Sequence, residues 1–250
     1  MRLTVLGASG AFPTAEHACS GFLLSYGGRN VVVDLGYGTF QRLLQHVPVE
    51  SVDAVVITHR HPDHCADLNP LLRARAMSPQ RPSRLDIHAP AGALDAVLAL
   101  DRSGMLDDAY RLHEMGDRFE IGPFDVAIRW LPHWVPNPGV RISAGGHTVA
   151  YTGDTGPSPL IAELARDADL LVAEASFAYL VPDEAAEFAS SALQAGQDAA
   201  RAGVGKLLLT HLWPGSDPAT FAAAARENFS GEIGVATEPS AAVVTLGAHE

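Results

Sequence analysis

Ala54-Val55-Val56-Ile57-Thr58-His59-Arg60-His61-Pro62-Asp63-His64 opens as a buried strand and closes as a cluster of metal-ligating side chains. The β-branched apolar run has the composition of a strand interior, and the polar cluster begins where the chain leaves the sheet. Residues two apart in an extended segment point the same way, so His59 and His61 are placed to grip one ion. Asp63 and His64, one turn onward, face a second. Nitrogen and oxygen donors without a thiolate suit Zn²⁺, with Mn²⁺ or Fe²⁺ as alternatives.

Outward from this segment, strands end repeatedly in a polar residue. Phe124 to Leu131 delivers His133, the hairpin of Val140–Ala144 and His147–Thr152 delivers Asp154, Leu170 to Ala173 delivers Glu174, and Lys206 to Thr210 delivers His211. Ligands of α/β proteins collect where strand ends and their loops converge. Upstream, Leu3 to Gly7 reads as a first strand running into the small-residue loop Ala8–Pro13, either a plain turn or a pocket wall. Gly21–Tyr26 and Asn30–Leu35 read as a hairpin turned at Gly27-Gly28. Asp34 at its end is either a cap or a carboxylate orienting a metal-bound His from behind.

Helical spacing marks Tyr37–Gln45, Leu68–Met77, Ala91–Leu100, Leu160–Arg166, a long segment over Asp183–Ala202, and Thr220–Asn228. Leu85–Ala89 and Ile233–Ala236 read as strands, Asp101–Gly122 as an irregular surface segment, and the remainder as a C-terminal tail. Two runs of strands interleaved with helices predict an α/β fold, an αββα sandwich of two mixed β-sheets flanked by helices, as a single domain over 1–250.

The chain has 250 residues, 47% apolar and 18% charged, which is ample for a globular core. A net charge of -12 argues against nucleic acid as a main partner. Two distant cysteines, Cys19 and Cys65, make no disulfide framework, and the N-terminus reads as a strand rather than a signal peptide. No apolar run approaches membrane-spanning length, so the expectation is a cytoplasmic protein with no membrane partner.

The set His59, His61, Asp63, His64, with later His133, Asp154 in Thr-Gly-Asp-Thr and His211 in Leu-Thr-His-Leu, resembles the metallo-β-lactamase fold superfamily over nearly the whole chain. Gly7-Ala8-Ser9-Gly10, Val33-Asp34-Leu35-Gly36, the aspartate in the bridging position and Glu174-Ala175-Ser176-Phe177 look like the branch of ribonuclease Z and bacterial cyclic-nucleotide phosphodiesterases. The resemblance implies a first metal on His59, His61, His133 and Asp154, and a second on Asp63, His64, His211 and the shared Asp154. Asp63 and Asp154 become the candidate catalytic carboxylates. The implied activity is that of a dinuclear zinc hydrolase, in which a metal-bridging hydroxide attacks a small phosphodiester such as a cyclic nucleotide. An ester, lactone or thioester hydrolase is the alternative, and a non-catalytic metal-binding module the third reading.

Two departures qualify it. The tRNA-processing members carry a long arm between the positions of His133 and Asp154, where this chain has one hairpin. The branch also carries a phosphate-contacting His where this chain has Ala189, within Phe188-Ala189-Ser190-Ser191-Ala192.

Trp134, Phe177, Trp213 and Phe12 are candidate pocket walls or plain packing. His17 sits in a loop within reach of the cleft, and Glu174 is a candidate support behind a metal-bound His. Cys65 reads as a small buried residue. His46, His88, His113, His147 and His249 read as surface or capping residues. A small-molecule substrate is expected; homodimerisation is left open.

Overall fold

A computed structural model of the chain describes residues 1–236 and 243–247. Its elements in chain order begin with β1 (Arg2–Gly7), β2 (Gly21–Tyr26), β3 (Arg29–Leu35), α1 (Thr39–Leu43), β4 (Ala54–Val56), α2 (Pro62–Cys65), α3 (Leu68–Ala76), β5 (Leu85–Ala89) and α4 (Asp95–Leu98). β6 (Tyr110–Glu114), β7 (Arg118–Ile121), β8 (Phe124–Leu131), β9 (Asn137–Ala144), β10 (His147–Tyr151), α5 (Pro159–Leu164) and β11 (Leu170–Glu174) follow. α6 (Ala192–Ala202), β12 (Lys206–Thr210), α7 (Pro218–Arg226), β13 (Glu232–Val235) and β14 (Val243–Thr245) complete the described residues.

Among these residues the strands form two seven-stranded sheets, in the orders β14-β1-β2-β3-β4-β5-β6 and β13-β12-β11-β10-β9-β8-β7. Both are mixed: β1, β2 and β3 pair antiparallel, whereas β3 through β6 run parallel. In the second sheet β10, β11, β12 and β13 run parallel. This is the αββα sandwich expected.

Strand alternation explains the long apolar runs. Phe22, Leu24, Val31, Val33, Ala54 and Val56 face inward to a core shared with Val140, Val149, Val172 and Leu208 of the other sheet. Their neighbours Leu23, Val32, Val55 and Ile57 face outward onto Leu68, Leu71 and Leu72 of α3. Leu207, Leu209 and Leu171 likewise pack outward against Ala195 and Ala199 of α6 and Ala224 of α7. A strand covered on both faces carries no polar alternation, and a one-residue slip would exchange its two cores.

Four elements differ from the sequence expectation. The long helix over Asp183–Ala202 is a short 3₁₀ turn, Asp183–Ala185, followed by an irregular segment and then α6. Ser191 caps α6, its hydroxyl accepting from Gln194 N at 3.2 Å, and Ser190 Oγ donates to Thr155 O at 2.6 Å. Side-chain capping and this tertiary bond override the alanine-rich periodicity. The helix over Ala91–Leu100 shrinks to α4, because Gly92 adopts a left-handed φ of 70° in the preceding turn.

The segment Asp101–Gly122 contains β6 and β7, the terminal strands of the two sheets. Both carry several charges, as edge strands do, and that hides their period. The C-terminal tail contributes β14, which pairs antiparallel with β1. His249 lies outside the described residues. No described helix is long and apolar enough to cross a membrane.

Candidate metal centre

The parallel strands of both sheets bring their C-terminal ends to one edge of the sandwich, where two groups of donors meet. His59, His61, His133 and Asp154 form one; Asp63, His64, His211 and Asp154 form the other. Within each group the donor atoms lie within 4.8 Å of one another. All seven ligand candidates of the sequence are therefore together, with Asp154 common to both sets.

Four of the five imidazoles are held from behind. His64 Nδ1 donates to Asp34 Oδ2 at 2.8 Å and His133 Nδ1 to Phe188 O at 2.9 Å. His59 Nδ1 lies 3.0 Å from Thr58 Oγ1, which donates to Asp34 Oδ2 at 2.8 Å. His211 Nδ1 lies 3.0 Å from Ser176 Oγ, which donates to Glu174 Oε1 at 2.7 Å. A carboxylate and a carbonyl only accept, and Thr58 has spent its proton on Asp34, so His59, His64 and His133 carry hydrogen on Nδ1, as does His211 when Glu174 is ionised. Their Nε2 lone pairs are left facing the centre. His61 turns Nδ1 inward instead, 3.1 Å from His59 Nε2 and 3.2 Å from His133 Nε2.

These donors fit metal ions. His61 Nδ1 carries at most one hydrogen and cannot satisfy both facing Nε2 lone pairs, and the spacing approaches the roughly 3.4 Å edge of a tetrahedron with zinc–nitrogen bonds. His64 Nε2 and Asp154 Oδ1, buried and 3.2 Å apart, have no hydrogen-bond partner. Asp154 Oδ2 lies 3.2 Å from His211 Nε2 and 3.8 Å from His59 Nε2. Oδ2 thus lies between the two donor sets, while Oδ1 faces His64 of the second. A cation between His64 Nε2 and Asp154 Oδ1 would pair both atoms at once.

The electrostatics agree. Burial acts to raise the Asp154 carboxyl, but the charges of His211, His64 and His59 hold it well below the carboxylate range. Asp63 behaves the same way through His211 and His64, and its Oδ2 also accepts from Ala11 N at 2.9 Å. Burial acts to lower His64 and His211, yet the Asp154 carboxylate raises both. Burial lowers His59, His61 and His133. Divalent cations would take the place of those protons. Glu174 is pushed up to about 8 by burial and by Asp154.

The supporting positions resolve as follows. Asp34 is the orienting carboxylate, not a cap; it accepts from Thr58 N at 2.8 Å and from Tyr151 OH at 3.0 Å as well. Glu174 accepts from Thr155 N, next to Asp154, and reaches His211 only through Ser176. Trp134 sits against His133, ring centroids 5.0 Å apart, and Trp213 against Phe12 at 6.5 Å. His17 and Trp213 line a cavity of about 360 Å³ with Ala8, Ser9 and Leu212, so the loop after β1 is a pocket wall. Phe177 is half-buried and bridges to Ser191 through its backbone. Cys65 is buried.

His88 corrects the surface expectation: it is buried, stacked on Phe119 with ring centroids 4.2 Å apart. The sequence reading missed Thr58, Tyr151, Ser176 and Phe188. Thr58 and Ser176 lie beside residues it had singled out; nothing local marks Tyr151.

A fold with a His/Asp centre at the strand ends of an αββα sandwich defines the metal-dependent hydrolases of the metallo-β-lactamase type. The β-lactamase superfamily domain matches residues 29–212, and the chain belongs to that family. It is similar to the probable metallo-hydrolase YhfI of Bacillus subtilis, 33% identical over 94% of this chain and 97% of that one. The crystal structure of YhfI superposes with a TM-score of 0.88, 31% identity and coverage of 98% and 99%. Ribonuclease Z of Methanopyrus kandleri is 31% identical over 90% of this chain and 91% of that one. The chain is accordingly a divalent-metal hydrolase acting on ester bonds.

Proposed function

We propose that the chain is a dinuclear zinc hydrolase whose substrate is a small phosphodiester, a cyclic nucleotide being the simplest. The observation that carries this reading is the sharing of Asp154 between two complete donor sets, with His64 Nε2 and Asp154 Oδ1 left unpaired. Nitrogen and oxygen donors favour zinc, with manganese or iron as the other fits. Bound there, the ions supply Lewis acidity toward a phosphoryl oxygen and ionise a water at neutral pH.

The chain's own residues do the rest. Asp154 holds the two donor sets in register, and Asp34, Ser176 and Phe188 O fix the ring orientations. Asp63, anchored by Ala11 N and His211, is the carboxylate placed to take the proton of an attacking water. Similarity to a ribonuclease Z supports a phosphodiester. Between His133 and Asp154 stands only the β9–β10 hairpin, which supports a small one.

One observation favours the second reading, a carboxylic ester, lactone or thioester. Ala189 is buried between Phe188, whose carbonyl holds His133, and Ser190, whose hydroxyl holds Thr155 O. A methyl group there donates no proton to a leaving alkoxide. Parallel assays of phosphodiester and thioester substrates on one zinc-loaded preparation decide between the two. Metal analysis should give about two ions per chain; one or none after zinc supplementation rejects the dinuclear site.

A further inference from the structure

Resting on the phosphodiester reading, we infer that the substrate carries a planar, uncharged arm on both sides of its single phosphate, as a dinucleoside monophosphate does.

Two aromatic pairs border the centre, one at each donor set. Trp134 packs on His133 of the first set and on Phe188, ring centroids 5.2 Å apart in the second contact. Phe12 and Trp213 stand at the other set: Ala11 N bonds Asp63, and Trp213 lies two residues beyond His211. Trp134 is 54% and Trp213 43% exposed, as is Trp130 of β8 at 45%. What singles out the first two is their position, Trp134 against His133 and Trp213 two residues beyond His211. Ring faces in that position stack on planar groups.

The chemistry of the walls narrows the arms further. The cavity of about 360 Å³ beneath Trp213 has room for a ring system, and Leu212 and Pro218 among its walls are apolar. Of the described residues lining it, none is Lys, Arg, Asp or Glu. A second phosphate would find no lysine or arginine there, only His17 and two serines, so the arm it accepts is a nucleoside-like group without further phosphates. The scissile phosphate alone faces the charged centre. A cyclic mononucleotide, with one base, occupies one aromatic pair and leaves the other unused.

The test compares adenylyl-3′,5′-adenosine with the ethyl ester of adenosine 5′-monophosphate, which has one base, on the zinc-loaded enzyme. Stacking of a base on an aromatic ring corresponds to about tenfold or more in affinity. The two-base ester should therefore show a KM lower by about that factor. Trp134→Ala and Trp213→Ala should each raise its KM about tenfold, whereas only one of them should affect the one-base ester. Binding is read separately by tryptophan fluorescence in the double variants Trp130→Phe/Trp134→Phe and Trp130→Phe/Trp213→Phe, each with one indole left, which adenylyl-3′,5′-adenosine should quench in both. Equal KM values for the two esters, or quenching at only one indole, overturns the two-armed substrate. Absence of turnover with both esters alongside thioester hydrolysis overturns the phosphodiester reading instead, and the fluorescence result still decides the two arms.

Discussion

Asp34 Oδ2 accepts the Nδ1 proton of His64 at 2.8 Å, and the same oxygen accepts from Thr58 Oγ1, which holds His59. One carboxylate thus orients a ring in each donor set. Asp34 does so from a left-handed φ of 58°, a conformation that aspartate tolerates better than most residues.

Asp34→Asn should weaken both halves of the centre together. Its amide offers one oxygen and one donor where the site needs acceptors only. A loss of about 10–100-fold in metal affinity is expected, as for other residues that orient metal-bound histidines. Chelator competition measures it; unchanged affinity would show that the rings are held by packing alone.

Asp154→Ala should abolish turnover and most of the occupancy at the set containing His211. No other described carboxylate belongs to both sets. Metal analysis of the purified variant, still showing both ions with activity retained, would place the bridge elsewhere.

Ala189→His should speed poor leaving groups selectively. General acid assistance is worth roughly 10²–10⁴-fold for an alkoxide and little for nitrophenolate. The site is 5% exposed, so crowding should cost about 1–3 kcal/mol of stability. The melting temperature reports that cost separately. If a ribose ester and a nitrophenyl ester change by the same factor, the position does not serve as acid; His17 is then the next residue to replace.

His88 should make the fold acid-sensitive. Burial, then His113, push its imidazole from 6.5 down to about 4, against the pull of Asp86. Above 6.5 neither state holds the proton. Between 6.5 and 4 the unfolded chain binds it and the folded chain does not, so stability falls with pH through that window. Below it the loss is complete, roughly 2–3 kcal/mol. His88→Phe keeps a ring against Phe119 and removes the proton. Urea midpoints at neutral and acid pH should differ less in the variant than in the wild type, and an equal difference would assign the acid loss to other groups.

Gly36→Ala should disorganise the centre without touching a ligand. A Cβ there would overlap the Asp63 carbonyl oxygen and crowd Cys19. Since the backbone, not a movable side chain, is in the way, the segment bearing Asp63 and His64 must shift. Loss of metal binding in a variant that retains its far-ultraviolet circular dichroism is the expected result; full binding would show that the loop can yield.

The sequence by itself offered the seven candidate donors, chosen among the strand-end residues by family resemblance, and the order of most strands. The local signals behind them are short-range: a β-branched run ending in His-x-His, and strands that end in a polar residue where loops converge. It also set the limits of β5, β8 and β12, which are bounded by polar or turn residues. Tertiary structure decided what depends on distant partners. β6 and β7 are strands because each has a sheet edge to pair with, although their charges erase the period. The chain from 186 to 191 is irregular because Phe188 O and Ser190 are drawn to His133 and Thr155, which no local signal announces. Tyr151 joins Asp34 across 117 positions. Such contacts exist only once the two sheets have packed, because packing brings groups remote in sequence within hydrogen-bond reach.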